Sequence, residues 1–170
     1  IYYINALLRW PKHFIIDSVT KYVCIFLSVA ILWSTTLKQR IARIFSQNST
    51  ASERIIASSI QVISTTHGWE TWGNFPNERK RLIKLLKEKK VQATIILSGD
   101  RHSAEISRLE DTLPYPLFDI TSSAMNQRQR PKFEENIHRL GERYFDENFG
   151  LLKIKWLSNG PKVHASIQDI

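Results

Sequence analysis

An acid and an imidazole stand one residue apart, Asp100 and His102, in the segment SGDRH that follows the apolar run ATIIL. Carboxylate and imidazole are both metal donors, the first suited to harder ions such as calcium and the second to iron or zinc. Gly99 lets the backbone turn sharply. If the segment stays extended, residues one apart project to the same side, so Asp100 and His102 become a usable ligand pair. Their place also fits, because loops at the carboxyl ends of strands in open α/β sheets converge on ligands. Gly-Asp after a strand is equally ordinary turn chemistry, so spacing alone leaves both readings open.

A second group lies in the loop THGWETWGNFP. His67 and Asn74 are candidates for a substrate-facing or ligand-orienting role, while Trp69 and Trp72 are expected to anchor the loop by packing. Gln61 and Asn74 could hydrogen-bond an anionic oxygen, but amides at strand ends usually satisfy backbone groups. The one cysteine, Cys24, sits in an apolar run and excludes both an intrachain disulfide and a thiolate zinc cluster.

The elements that must carry these residues are readable from periodicity. RIIASSIQVIST, from Arg54 to Thr65, is rich in Ile and Val and suits a strand buried on both faces, although periodicity leaves a helix open. Asn77 is placed as an N-cap, with Glu78 in the first turn and Leu82, Ile83, Leu85 and Leu86 on one side of a helix running to about Lys90. VQATIILSGD is a second apolar strand. Strand, helix and strand in this order form a βαβ unit of a parallel sheet. SAEISRL alternates, YPLFDITSS is a short strand, RQRPKFEENIHRLGERYF is helical or irregular, and NFGLLKIKWLSNGPKVHASIQ is a hairpin with its turn at SNGP. The expected fold is α/β, a sandwich with a largely parallel core extended by antiparallel strands and a C-terminal hairpin.

The 170 residues are 42% hydrophobic and 24% charged, a globular balance. The net charge of +8 favours anionic partners. Seven Lys or Arg against two Glu fall between Glu78 and Lys90. A helix with one apolar stripe must leave its other face wet, and no aromatic is interleaved with these charges, so a nucleic-acid surface is not expected. Residues 1–52 read as an apolar and basic extension ending in the polar linker SQNSTAS, with the informative domain at 53–170. Residues 22–37 carry no charge, but they number 16 and include four Ser or Thr, against the roughly 20 apolar residues of a spanning helix. A membrane-spanning helix there is one expectation, and a buried helix or a poorly folded extension the others; if the run spans, Lys38, Arg40 and Arg43 fit a cytoplasmic flank.

Several segments, in order, resemble PhoD-like (alkaline phosphatase D) phosphatases of the calcineurin-like metallophosphoesterase superfamily: IIASSIQVIS, HGWETWGNFPNERKRL, ILSGDRHSAEISR, YPLFDITSSAMN and NFGLLKIKW. The resemblance implies a metallophosphoesterase-type sandwich and hydrolysis of phosphate esters, of the phosphatase or phosphodiesterase type, at a dinuclear metal centre. It also implies iron and calcium, with zinc or manganese as alternatives, and Asp100 and His102 as ligands. Two cations about 3.5–4 Å apart can clamp phosphate oxygens and activate water for in-line attack. An extracytoplasmic or membrane-associated location is the matching expectation.

The upstream half of such a site is not recognisable before Glu53, where no glycine precedes Gly68 to build its turns. The chain opens on Ile1 and carries no signal-peptide pattern. It is therefore expected to be a C-terminal portion that supplies part of the site and is weak or inactive alone. The alternative is a truncated, inactive module acting through membrane association or a partner.

Overall fold

The computed structural model describes the backbone of Phe14–Asp17 and Cys24–Leu27 and residues 53–170 except Gln92. Among the described residues, nine strands and two helical elements follow in order. They are β1 (Phe14–Asp17), β2 (Cys24–Leu27), β3 (Arg54–Ser58), a 3-10 turn (Trp72–Asn74), α1 (Pro76–Glu88), β4 (Thr94–Ser98), β5 (Ala104–Leu109), β6 (Leu117–Ser122), β7 (Arg139–Tyr144), β8 (Asn148–Leu157) and β9 (Gly160–Asp169).

Six strands form one mixed sheet in the order β2-β3-β4-β6-β5-β7. The first four are mutually parallel, and β5 runs antiparallel to both β6 and β7. A smaller sheet, β1-β8-β9, contains the expected C-terminal hairpin, registered from Asn148 against Asp169 to Leu157 against Gly160. The βαβ unit is present, with β3 parallel to β4 and α1 between them in sequence.

Alternation along the central strands makes two cores. Ile56 and Ile96 face α1, where they meet Leu82, Leu86 and Trp72, all buried. Their neighbours Ile55 and Leu97 face the other way and pack with Ile120 and with Leu152 of β8. The large sheet is thus covered by a helix on one face and by the hairpin sheet on the other, each buried aliphatic contributing about 1.5–3 kcal/mol.

Four details differ from the sequence expectations. The apolar run from Arg54 leaves the sheet after Ser58, because buried Asp119 of β6 takes the amides of Val62 and Ile63 at 2.7 and 3.0 Å and holds them out of a ladder. Ile60, Val62 and Ile63 remain buried, so the segment is apolar because it packs across the core as a loop. Asn77 is not the N-cap: α1 begins at Pro76, whose missing N–H costs nothing in a first turn. The segment before the hairpin contains strand β7, which pairs with β5.

The fourth difference concerns the uncharged run 22–37. Cys24–Leu27 is a strand parallel to β3, not part of a helix, because its backbone pairs with Ile55–Ser58. Phe14–Asp17 likewise pairs with β8, so both segments of the expected extension join the sheets of the domain. The rest of 22–37 lies outside the described residues. No helix among the described residues is long and apolar enough to cross a membrane.

Candidate metal centre

Strands β3, β4 and β6 run parallel, so their carboxyl ends share one edge of the sheet. The segments leaving that edge are 59–75, 99–103 and 123–138, and they build the site together. A cavity of about 250 Å³ opens there, lined by Trp69 and Glu70 from the first segment, Asp100, Arg101 and His102 from the second, and Gln129 from the third.

Asp100 and His102 therefore open on the same cavity, by a different geometry from the extended one expected. Both residues are left-handed, with φ of 65° and 48°. Asp and His tolerate this region better than most residues, yet each such residue still costs on the order of 1–3 kcal/mol. The surrounding structure holds the turn in place. Arg101 N donates to Ser123 Oγ at 2.9 Å, Ser103 Oγ donates to Arg101 O at 3.0 Å, and Gln129 N donates to His102 O at 2.7 Å. The side chains of Asp100 and His102 make no hydrogen bond or ion pair among the described residues, and so remain available as donors to an ion.

The arginine between them does the opposite. Arg101 is 5% exposed and turns into a buried ionic cluster. Its Nη2 meets Glu134, whose carboxylate also accepts from Arg143 Nη1 and from Trp69 Nε1 at 2.9 Å. Arg143 reaches further to Ser103 Oγ at 2.9 Å and Gln129 Oε1 at 2.6 Å. Glu105 continues the cluster: it accepts from Arg139 Nε at 2.5 Å and from Gln61 Nε2 at 2.6 Å. Burial alone would raise the Glu105 pKa, but these two hydrogen bonds and the arginine charges bring it below the usual carboxylate range.

Behind this layer, Asp119 is fully enclosed. Burial raises its pKa, partly offset by Ser98 Oγ, which donates at 2.6 Å, and by the two amides of Val62 and Ile63.

His67 is buried, and its Nδ1 accepts the Trp69 N–H at 3.2 Å. That places the proton of the neutral ring on Nε2. Burial, followed by the nearby Arg101 charge, pushes the His67 pKa down to about 4, so the ring is neutral at pH 7. Asn74 is exposed, and its Nδ2 donates to Trp69 O at 3.2 Å, bracing the turn without lining the cavity.

The two tryptophans divide. Trp72 is fully buried with its Nε1 on Ser58 Oγ at 3.0 Å, whereas Trp69 is 46% exposed at the cavity mouth, with Lys132 Nζ 5.8 Å from its ring centroid.

No family model matches this sequence, and no curated protein matches it. In three dimensions it is similar to a structure of PhoD, with a TM-score of 0.55 over 78% of this chain at 17% identity. The chain is PhoD-like in fold. Its matched part corresponds to 31% of the PhoD chain, so it spans about a third of that protein's length.

A metal fits the PhoD-like edge in part. The donor types are right, and both face one cavity, but no group of three or more His, Cys, Asp or Glu among the described residues is placed to share an ion. Catalytic sites use about three protein ligands per ion. Sequence reasoning overlooked Arg101, Glu134 and Arg143. Charged residues in an irregular polar segment carry no periodic signal that would separate a buried ion pair from a solvated one, and Glu134 is such a residue.

Proposed function

We propose that the chain contributes one side of a metal-dependent phosphoric ester hydrolase site. The carrying observation is that Asp100 and His102, both held left-handed at the carboxyl end of a parallel strand, open on one cavity in a phosphoesterase-like fold. Two ions, iron and calcium on the family resemblance, would be held on this side by Asp100 and His102. When bound, such ions supply charge neutralisation and activation of water. The residues of this chain supply the rest: Asp100 and His102 grip, the Ser123, Ser103 and Gln129 contacts fix the turn, and the Glu134 cluster keeps that turn against the Trp69 loop.

The remaining ligands lie outside the described residues, in this polypeptide or in a partner. The reading is tested by hydrolysis of an aryl phosphate by the 170-residue chain with calcium and iron(II) supplied. Turnover near background is expected from two donors alone, and any turnover above it must fall with Asp100→Ala and with His102→Ala. Robust turnover that survives both substitutions overturns the reading.

A further inference from the structure

The residues that line the strand-end cavity include one apolar face. Glu70, Asp100, Arg101, His102 and Gln129 are polar, whereas Trp69 presents an indole at the mouth with 46% of its surface exposed. The residue is nonetheless held at both ends. Trp69 N–H donates to His67 Nδ1 at 3.2 Å, its carbonyl accepts from Asn74 Nδ2 at 3.2 Å, and its Nε1–H donates to Glu134 Oε1 at 2.9 Å. Glu134 is itself buried and pinned by Arg101 and Arg143. Every polar atom of Trp69 is therefore satisfied, and what stays uncovered is ring surface.

A tryptophan needed only as an anchor would bury its ring, as Trp72 does three residues later. Leaving a large ring in water forgoes the gain of burying it. A braced, exposed indole at the rim of a polar cavity is matched by a flat apolar group that arrives with a ligand. Lys132 supports this from the side. It is exposed, and its Nζ stands 5.8 Å from the Trp69 ring centroid, so a cation already uses the π-face. The ammonium also sets positive charge beside the ring, which suits a ligand that carries an aromatic group and a negative charge on one molecule.

We propose that Trp69 is a specificity-determining residue whose ring stacks on the alcohol portion of the substrate, selecting phosphate esters of planar aromatic alcohols over those of saturated ones. The ester rests on the phosphoesterase reading, while the choice of ring rests on the geometry of Trp69. In a cavity of about 250 Å³, a small ester with its phosphorus at the Asp100–His102 end reaches Trp69 with its alcohol group. The bond to Glu134 has already set the ring plane, so stacking needs little further ordering of the loop. The contact is made in the ground state and the transition state alike, so it sets which ester binds and not how fast a bound ester reacts.

The test titrates the full chain with phenyl phosphate and with cyclohexyl phosphate, esters of similar size that differ in the planarity of the ring, first with zinc(II) and then with a chelator. The NMR resonance of Trp69 Nε1–H should shift saturably with phenyl phosphate. Cyclohexyl phosphate should bind more weakly by about fivefold or more, the worth of one aromatic contact. Trp69→Leu keeps an apolar side chain without a π-face and should bind the two esters alike, with affinities read from backbone amide shifts. Trp69→Phe keeps a ring but loses the bond to Glu134, and should retain the preference for phenyl phosphate; it carries the test if Trp69→Leu fails to fold. The proposal is overturned if neither ester moves the resonance, if both bind the wild type or a folded Trp69→Phe alike, or if the preference survives Trp69→Leu. If phenyl phosphate binds with the same affinity and the same preference in zinc and in chelator, the subsite stands and the metal reading fails. Ion binding by Asp100 and His102 with no preference between the esters removes the subsite alone.

Discussion

Trp69 and Glu134, 65 residues apart in sequence, are joined by one hydrogen bond, Nε1–H to Oε1 at 2.9 Å. The other oxygen of the same carboxylate faces Arg101 and Arg143. One side chain from the segment after β6 thus ties together the loops that leave β3 and β4, and it does so beside the residues that line the cavity.

Removing that carboxylate leaves two buried guanidiniums uncompensated. Glu134→Ala should cost about 3–5 kcal/mol, the usual penalty for breaking a buried ion pair from one side. Urea denaturation measures it, and an unchanged midpoint would show that the cluster opens to water. Glu134→Gln retains the acceptor for Trp69 and should cost less.

Asp119 organises the layer beneath. Its carboxylate meets Ser98 Oγ and the amides of Val62 and Ile63. Ser98 Oγ keeps Thr121 Oγ1 at 2.8 Å, so Asp119→Ala leaves the two amides without their acceptor. A loss of about 2 kcal/mol or more is expected at roughly 1–3 kcal/mol for each orphaned group. Hydrogen exchange should show the amides of Val62 and Ile63 losing protection first, and retained protection there would contradict their dependence on Asp119.

His67 gives the pH dependence a definite sign. Its pKa falls from 6.5 to about 4 on folding, so between these values the unfolded state binds more protons. The stability it contributes is fully present above pH 6.5 and is lost as pH falls toward 4. Glu53 works in the opposite sense, since burial raises its pKa to about 7 and stability there falls as pH rises from 4.5 to 7. The comparison must therefore be made by difference. The denaturation midpoint of His67→Gln relative to wild type should improve steadily from pH 6.5 to 4, and a flat difference would mean that the ring is not held neutral.

Gly73 lies against Thr65. A Cβ added at Gly73 would come within 2.8 Å of Thr65 Cβ and 2.9 Å of Thr65 O, and the backbone oxygen cannot swing away. Gly73→Ala should destabilise by about 1–3 kcal/mol and shift the Trp69 loop, read as a change in its tryptophan fluorescence. A neutral substitution would indicate that the turn carrying Trp72 is looser than its contacts imply.

The sequence conveyed some of this and concealed the rest for physical reasons. The βαβ unit and the hairpin are legible because each depends on local chemistry: period-two alternation in β8 and β9 and an apolar stripe on α1. The strand end that carries Asp100 and His102 is legible too, but the turn there is made by these two left-handed residues and not by Gly99. Strand β7 was hidden because it has an exposed Gly-Glu centre and is made a strand by pairing with distant β5. The early end of β3 was hidden because its cause, Asp119, lies 57 residues beyond Val62. The inward turn of Arg101 is not legible, since nothing local reveals that its counterion, Glu134, stands 33 residues later.

The most direct measurement is pulsed EPR of manganese(II) bound to the purified chain, because nitrogen modulation reports whether an imidazole touches the ion. The account predicts modulation from one imidazole, abolished by His102→Ala, and a manganese affinity reduced about tenfold or more by Asp100→Asn. Modulation that persists without His102, or an affinity indifferent to Asp100, would contradict it.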